Sequence, residues 1–321
     1  MTEVRHRLPS YDELPVTAGA PPGSAWGLFG ADDQVGTVNL MTPEKAIEAA
    51  RLVRRGVTFP LNWDLALPRP ALFNRGTYRQ TIFSNSPIHH DDILDNFYPQ
   101  ASSQWDGLSH MGHPQYGFYN GVRKEEITGR PGTKLGIEHW ARRGMVTRGV
   151  LLDVARHCQR SGQPVDGGAT VRFPASLLEE TRQAQGVEIR PGDVLLIRSG
   201  WMAWYLEAPE ETRRHIAHRP NLRAPGLAAD AAMKRYLWDL HIAAIAADCP
   251  ALEAWPPDLE GDGFLHWTLI GLFGMPIGEL WYLEELAADC ARDGVYEFMF
   301  TSAPLHLVGG VGSPPNALAI K

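Results

Sequence analysis

The apolar positions of this chain fall into short buried runs that alternate with half-apolar segments of helical period. Ala46, Ile47, Ala50, Leu52 and Val53 recur behind Thr42, which can cap, and Pro43, which suits a first helical position; Gly56 closes that helix. Residues 57–61 then read as a strand. Helices are expected over residues 137–143, 173–185 (with Pro174 and Ser176 at the start), 207–218 (charged and exposed) and 230–240. Apolar runs at residues 149–154, after the Pro191-Gly192-Asp193 turn, and at 241–248 read as buried strands, the last ending on Asp248. Residues 265–274 look like a short buried helix closed by Gly274, followed by a short strand at 275–280 that carries one carboxylate, Glu279. Helices alternating with apolar strands mean an α/β protein.

Two stretches break the pattern. Residues 1–30 carry Pro9, Pro15, Pro21 and Pro22 and read as an extended arm, which Trp26, Leu28 and Phe29 would dock. Residues 64–103 are rich in loop signals, with Pro68, Pro70, Pro87 and Pro99, and include the polar cluster His89-His90-Asp91-Asp92, read as a solvated loop. No repeat and no linker divides the chain, so one domain is expected, with residues 1–25 as the arm and 26–321 as the domain.

Composition narrows the function. At 321 residues and 44% hydrophobic, the chain can bury a large core. A net charge of −7 without a Lys/Arg-rich run argues against a nucleic-acid partner. The apolar runs are too short to span a bilayer, and the first six residues lack the apolar core of a signal peptide. Cys158, Cys249 and Cys290 are odd in number and far apart, which fits free thiols in a reducing compartment. The expectation is a cytoplasmic protein acting on a small molecule, without nucleic-acid or membrane partners. No glycine fingerprint for dinucleotides or phosphates is present, and Ser199-Gly200-Trp201 is not a serine-hydrolase elbow.

The chemistry concentrates in Gln104-Trp105-Asp106-Gly107-Leu108-Ser109-His110-Met111-Gly112-His113. Read as a strand, Gln104, Asp106 and His110 share a face; read as a helix, Asp106 and His110 are i, i+4 neighbours. The strand is favoured, because Gly107 and Ser109 are weak helix formers. An oxygen and a nitrogen donor converging in this way either form a hydrogen-bonded pair at a strand end or begin a site for zinc, manganese or iron(II). Downstream, His266 and Glu279 are each flanked by apolar residues, and a Glu in such a setting needs a cation or a partner. Asp248 at a strand end reads most plainly as a cap on Cys249-Pro250.

The ordered set Arg148-Gly149-Val150-Leu151-Leu152-Asp153, Pro191-Gly192-Asp193-Val194-Leu195-Leu196-Ile197-Arg198-Ser199-Gly200-Trp201 and Leu265-His266-x(12)-Glu279 resembles the cyclase family of metal-dependent hydrolases, which includes bacterial kynurenine formamidase and isatin hydrolase. The resemblance runs from about Trp26 to about Gly310. In place of the H-x-G-T-H-x-D-x-P-x-H motif of most members, this chain has Gln104-x-Asp106-x-x-x-His110, similar to the variant of trans-dienelactone hydrolase-like members. The resemblance implies a single α/β domain with a mixed, barrel-like sheet flanked by helices, of the swivelling β/β/α type. It implies a divalent metal, Zn2+ or Mn2+, held by Asp106, His110, His266 and Glu279. Gln104 is a carbonyl ligand or orients one, and His113 is the candidate catalytic proton carrier. Trp105, Tyr116, Phe118, Tyr119 and Trp63 would wall a substrate pocket. The implied activity is hydrolysis of a lactone, ester or amide; a metal-dependent cyclase or lyase, or a non-catalytic metal or small-molecule binding protein, are the alternatives. A homo-oligomer, dimer or tetramer, is implied too, with the N-terminal arm suited to exchange between subunits.

Overall fold

Val194-Leu195-Leu196-Ile197 and Ala244-Ile245-Ala246-Ala247 have no polar face, and both become strands buried on both sides in the middle of a sheet. The computed structural model describes residues 7–260 and 263–321. Its strands are β1 Thr58–Pro60, β2 Arg79–Ser86, β3 His89–Asp95, β4 Gln104–Asp106, β5 Met145–Leu152, β6 Arg172–Phe173, β7 Val194–Ile197, β8 Gly226–Leu227, β9 Ala244–Ala247, β10 Ile277–Glu279, β11 Glu297–Ser302, β12 Gly312–Ser313 and β13 Ala317–Ile320. Nine of them form one curled sheet in the order β1-β13-β11-β5-β7-β9-β10-β4-β12, a half-barrel flanked by helices. The run β5-β7-β9-β10 is parallel. The strands on either side of it pair antiparallel. The α/β single-domain architecture expected from the sequence is the one observed.

The helices lie close to their sequence signals. Pro43–Ala50 starts on Thr42, whose hydroxyl accepts from the Lys45 amide; Ala231–Asp239 starts on Asp230, whose carboxylate accepts from the Met233 amide. Glu138–Arg143 and Ala175–Gln185 fall within the expected spans. Glu210–Ala217 falls within the helix expected over 207–218, and a helix not expected, Trp201–Glu207, precedes it and stops before Pro209, which cannot continue it. The buried helix before Glu279 is a π-helix, Trp267–Phe273, ended by Gly274 in the left-handed conformation. A Cβ at Gly274 would stand 2.5 Å from the Tyr119 ring, so the turn needs glycine for space as well as for its φ of +68°.

One expectation changes. The loop-rich segment contains the β2–β3 hairpin, every residue of which is exposed; with no apolar face to bury, it has no sequence period to betray it. His89-His90-Asp91-Asp92 therefore begins a strand. The N-terminal arm docks on its own chain: the Trp238 indole donates to Pro9 O at 2.8 Å, the Tyr11 amide to Asp239 at 2.7 Å and the Ala25 amide to Leu272 O at 2.9 Å. The first six residues, on which the expectation about a leader rests, lie outside the described residues.

Candidate metal centre

The centre is built on one antiparallel strand pair. β4 and β10 run in register with Gln104 opposite Glu279, Trp105 opposite Gly278 and Asp106 opposite Ile277. Side chains alternate along a strand, so Gln104, Asp106 and Glu279 share one face. Trp105 goes to the other. There it packs edge-on against Trp281 at 4.6 Å and donates its indole N–H to Ser302 Oγ at 3.0 Å. Trp105 is thus a core residue and not a pocket wall. The strand stops at Asp106. A turn closed by the His110 amide on Gly107 O, at 2.9 Å, brings His110 back, and its Nε2 lies 3.6 Å from Asp106 Oδ1.

His266 arrives from the opposite side, immediately before the π-helix. One donor atom each from Asp106, His266 and Glu279 lies within 4.8 Å of the others, and all three residues are buried. His266 Nε2 is 3.0 Å from Glu279 Oε1 and 3.4 Å from Asp106 Oδ2. Its other nitrogen, Nδ1, is held by both oxygens of Glu253, at 3.0 and 3.1 Å, while the Phe264 ring stacks on the imidazole at 4.3 Å. The Gln104 carboxamide turns its nitrogen toward Glu279 and Asp106 and its oxygen toward Arg75 Nη1, 3.3 Å away. In this pose Gln104 orients the two carboxylates and offers the centre no oxygen.

The electrostatics follow from burying carboxylates and imidazoles side by side. Burial and the charge of Asp106 push Glu279 up to about 7. Burial opposes the protonated ring of His266, but Glu253, Asp106 and Glu279 outweigh it and hold that pKa well above its ordinary value. Burial pushes the His110 pKa down. Asp106 Oδ2 is buried with no hydrogen-bond partner, a costly state for a carboxylate oxygen unless something else meets it.

The centre opens into a cavity of about 160 Å³, lined by Asp106, His110, His266 and Glu279 together with Phe73, Arg75, Met111, Arg219, Ala251, Trp255 and Phe264. None of His113, Tyr116, Phe118, Tyr119 and Trp63 lines it. His113 instead stacks on Tyr116 at 4.7 Å and accepts from the Gln115 amide at 3.2 Å. Tyr119 is buried, with its hydroxyl on Asp33 at 3.1 Å. Trp63 packs against Tyr205. The structure thus does not bring His113 or the aromatic residues expected as a pocket wall to the lining of this cavity; beyond the turn at residues 107–110 and Met111 the chain leaves it. Asp248 caps a different loop from the one expected: it accepts from Ser199 N, Ser199 Oγ and Gly200 N.

Sequence reasoning missed Glu253, Arg75, Arg219 and the rings beside them. Glu253 carried a signal: it is an acid inside Ala251-Leu252-Glu253-Ala254-Trp255, the setting that marked Glu279. The arginines carried none, since they reach the cleft on irregular segments.

Among known proteins, a family model described as "Putative cyclase" matches residues 50–254. A crystal structure of a novel cyclase is 34% identical, with a TM-score of 0.80, and the match covers 93% of this chain and 97% of that one. Isatin hydrolase A from Labrenzia aggregata, bound to benzyl benzoate, is 14% identical with a TM-score of 0.58 over 84% of this chain and 94% of that one. Isatin hydrolase A from Ralstonia solanacearum is 17% identical with a TM-score of 0.57 over 87% and 98%. At those identities the two isatin hydrolases show a shared fold. None of the curated proteins matches. The extent of the family match and the 34% identity over nearly the whole of both chains place this protein in the cyclase family.

Proposed function

We propose that this protein is a metal-dependent hydrolase that opens a C–O or C–N bond, in a lactone, ester or amide, of a small cyclic or acyl substrate. The observation that carries the reading is the unpartnered, buried Asp106 Oδ2, which faces His266 Nε2 and lies beside Glu279 at the base of an open cleft. Carboxylate and imidazole donors in that proportion suit Zn2+ or Mn2+. Asp106, His266 and Glu279 would hold the ion, with His110 as the fourth donor. Bound there, the ion supplies Lewis acidity, acidifying water toward neutrality and polarising a substrate carbonyl.

The chain's own residues set the stage for that chemistry. Glu253 meets His266 Nδ1 and can accept its N–H, which would leave the Nε2 lone pair for a bound ion. Gln104 fixes the carboxylate planes of Glu279 and Asp106 from behind. Phe264 shields one face of the His266 ring from water, and with Phe73 and Trp255 it gives the substrate an apolar seat. The isatin hydrolases of the same fold act on a cyclic amide, as their name states, which supports a carbonyl substrate here.

The test is turnover of a lactone, ester and amide panel in 18O-labelled water by the metal-loaded protein. One label atom per product molecule is the expected result. Turnover without incorporation would reject hydrolysis in favour of a cyclase or lyase.

A further inference from the structure

Four residues form a ladder across the mouth of the cleft. The Arg75 guanidinium lies 5.4 Å from the centroid of the Phe73 ring; Phe73 meets Trp255 edge-on at 5.0 Å; the Arg219 guanidinium lies 5.2 Å from the centroid of the Trp255 ring. Cation, ring, ring and cation all line the cavity that Asp106 and Glu279 also line. The two cations differ in what they already do. Arg75 donates to Gln100 O and to Gln104 Oε1, so it is tied to the strand that carries Asp106. Arg219 is exposed and, among the described residues, its guanidinium has the face of Trp255 as its partner and no carboxylate.

Charge counting gives Arg219 a purpose. The floor holds three buried carboxylates, Asp106, Glu253 and Glu279. A divalent ion held there and the guanidinium of Arg75 would neutralise them. Arg219 would then be surplus positive charge, set against the Trp255 indole and lining the same cavity. A guanidinium on a ring face keeps its edge N–H groups free, and that fork matches a carboxylate bidentately.

We propose that Arg219 is a specificity-determining residue that docks an anionic group of the substrate, and that the substrate is a small carbonyl compound bearing a carboxylate or similar oxyanion remote from the bond that is cut. The proposal rests on the hydrolase reading for what happens at the floor of the cleft, but the anion subsite stands on the ladder alone. A flat, apolar substrate body lies against Phe73, Trp255 and Phe264, its carbonyl reaches the Asp106–His266–Glu279 group, and its anionic end meets Arg219. Arg75 adds to the positive field without leaving Gln104.

The experiment is calorimetric titration of the metal-loaded protein with benzenesulfonate and with methyl phenyl sulfone, its neutral shape-match. Sulfonate is a poor ligand for divalent ions, so a preference for it reports the arginine and not the metal. Wild type is expected to bind the sulfonate about tenfold or more tightly than the sulfone, the gain of a charge-assisted hydrogen bond. Arg219→Gln is expected to abolish that preference, the sulfonate losing its advantage over the sulfone. Equal binding of the two probes by wild type, no binding of either at millimolar concentration, or an intact preference in Arg219→Gln would overturn the proposal. The outcomes separate from those of the labelled-water experiment: an anion preference in a protein that hydrolyses nothing rejects the hydrolase reading alone, and hydrolysis without an anion preference rejects the subsite alone.

Discussion

His266 Nδ1 lies 3.0 Å from Glu253 Oε1, and the contact decides which face of the imidazole looks into the cleft. Both residues are buried, so the pair is neither screened nor free to rotate. It converts a histidine at the start of a π-helix into a directed donor aimed at Asp106 and Glu279.

Glu253 should therefore act on the metal without touching it. Glu253→Ala is expected to weaken divalent-ion affinity by about 10- to 100-fold, the usual cost of losing such a support. Glu253→Gln retains a carbonyl oxygen for Nδ1–H and should lose much less. Chelator competition with both variants checks this; equal affinity of wild type and Glu253→Ala would remove Glu253 from the account.

Proton competition sets a pH dependence. The ion takes neutral His266 and ionised Glu279, whereas the metal-free protein holds protons on both more tightly than usual. Burial and Asp106 raise Glu279 to about 7, and the surrounding carboxylates raise His266 against the effect of burial. Each bound proton must leave before the ion binds, so affinity rises with pH and falls steeply below about 7. Titration with Zn2+ or Mn2+ between pH 5.5 and 8 should show that slope together with proton release; a flat profile would contradict it.

The two histidines of the Gln104–His113 stretch should separate cleanly. His110 lines the cleft beside Asp106, and His113 stacks on Tyr116 outside it. His110→Ala is expected to lose most bound metal. His113→Ala is expected to keep metal and turnover within about threefold, in line with a substitution away from the reacting groups. Loss of turnover in metal-replete His113→Ala would return the proton-carrier role to His113.

Packing behind the centre is expected to matter as much as its donors. A Cβ at Gly278 would lie 2.5 Å from Ala246 Cβ and 2.7 Å from Trp281 Nε1, next to Glu279 on β10. Gly278→Ala should cost about 1–3 kcal/mol by overpacking and also displace Glu279, lowering metal content. Gly149→Ala, whose Cβ would meet the Phe298 ring at 2.2 Å on β5, is the control. It should lower the urea midpoint comparably and leave metal content intact.

How much of this was legible in the chain follows from where each signal lives. The central strands were, because Val194–Ile197 and Ala244–Ala247 are buried on both faces and so read as unbroken apolar runs. His266 and Glu279 were, because an ionisable group among apolar neighbours demands a partner. Glu253 satisfied the same demand and went unrecognised, its partner lying thirteen residues away on another segment. Trp105 was placed on the wrong face although the alternation that paired Gln104 with Asp106 already sends it away. His113 does not reach the cavity lining because the strand expected through Gly107 ends at Asp106, where the chain turns. The β2–β3 hairpin and the Arg75–Phe73–Trp255–Arg219 ladder left no trace, since neither has a period: one buries no face, and the other is assembled from irregular segments by the fold itself.

Two distant segments, β4 and the His266–Glu279 stretch, are proposed to build one metal centre. Elemental analysis of the purified protein beside Asp106→Ala and Glu279→Ala tests it most directly. The account predicts near-stoichiometric zinc or manganese in wild type and its loss from both folded variants. A wild type that stays metal-free after incubation with those ions, or variants that retain the full complement, would contradict it.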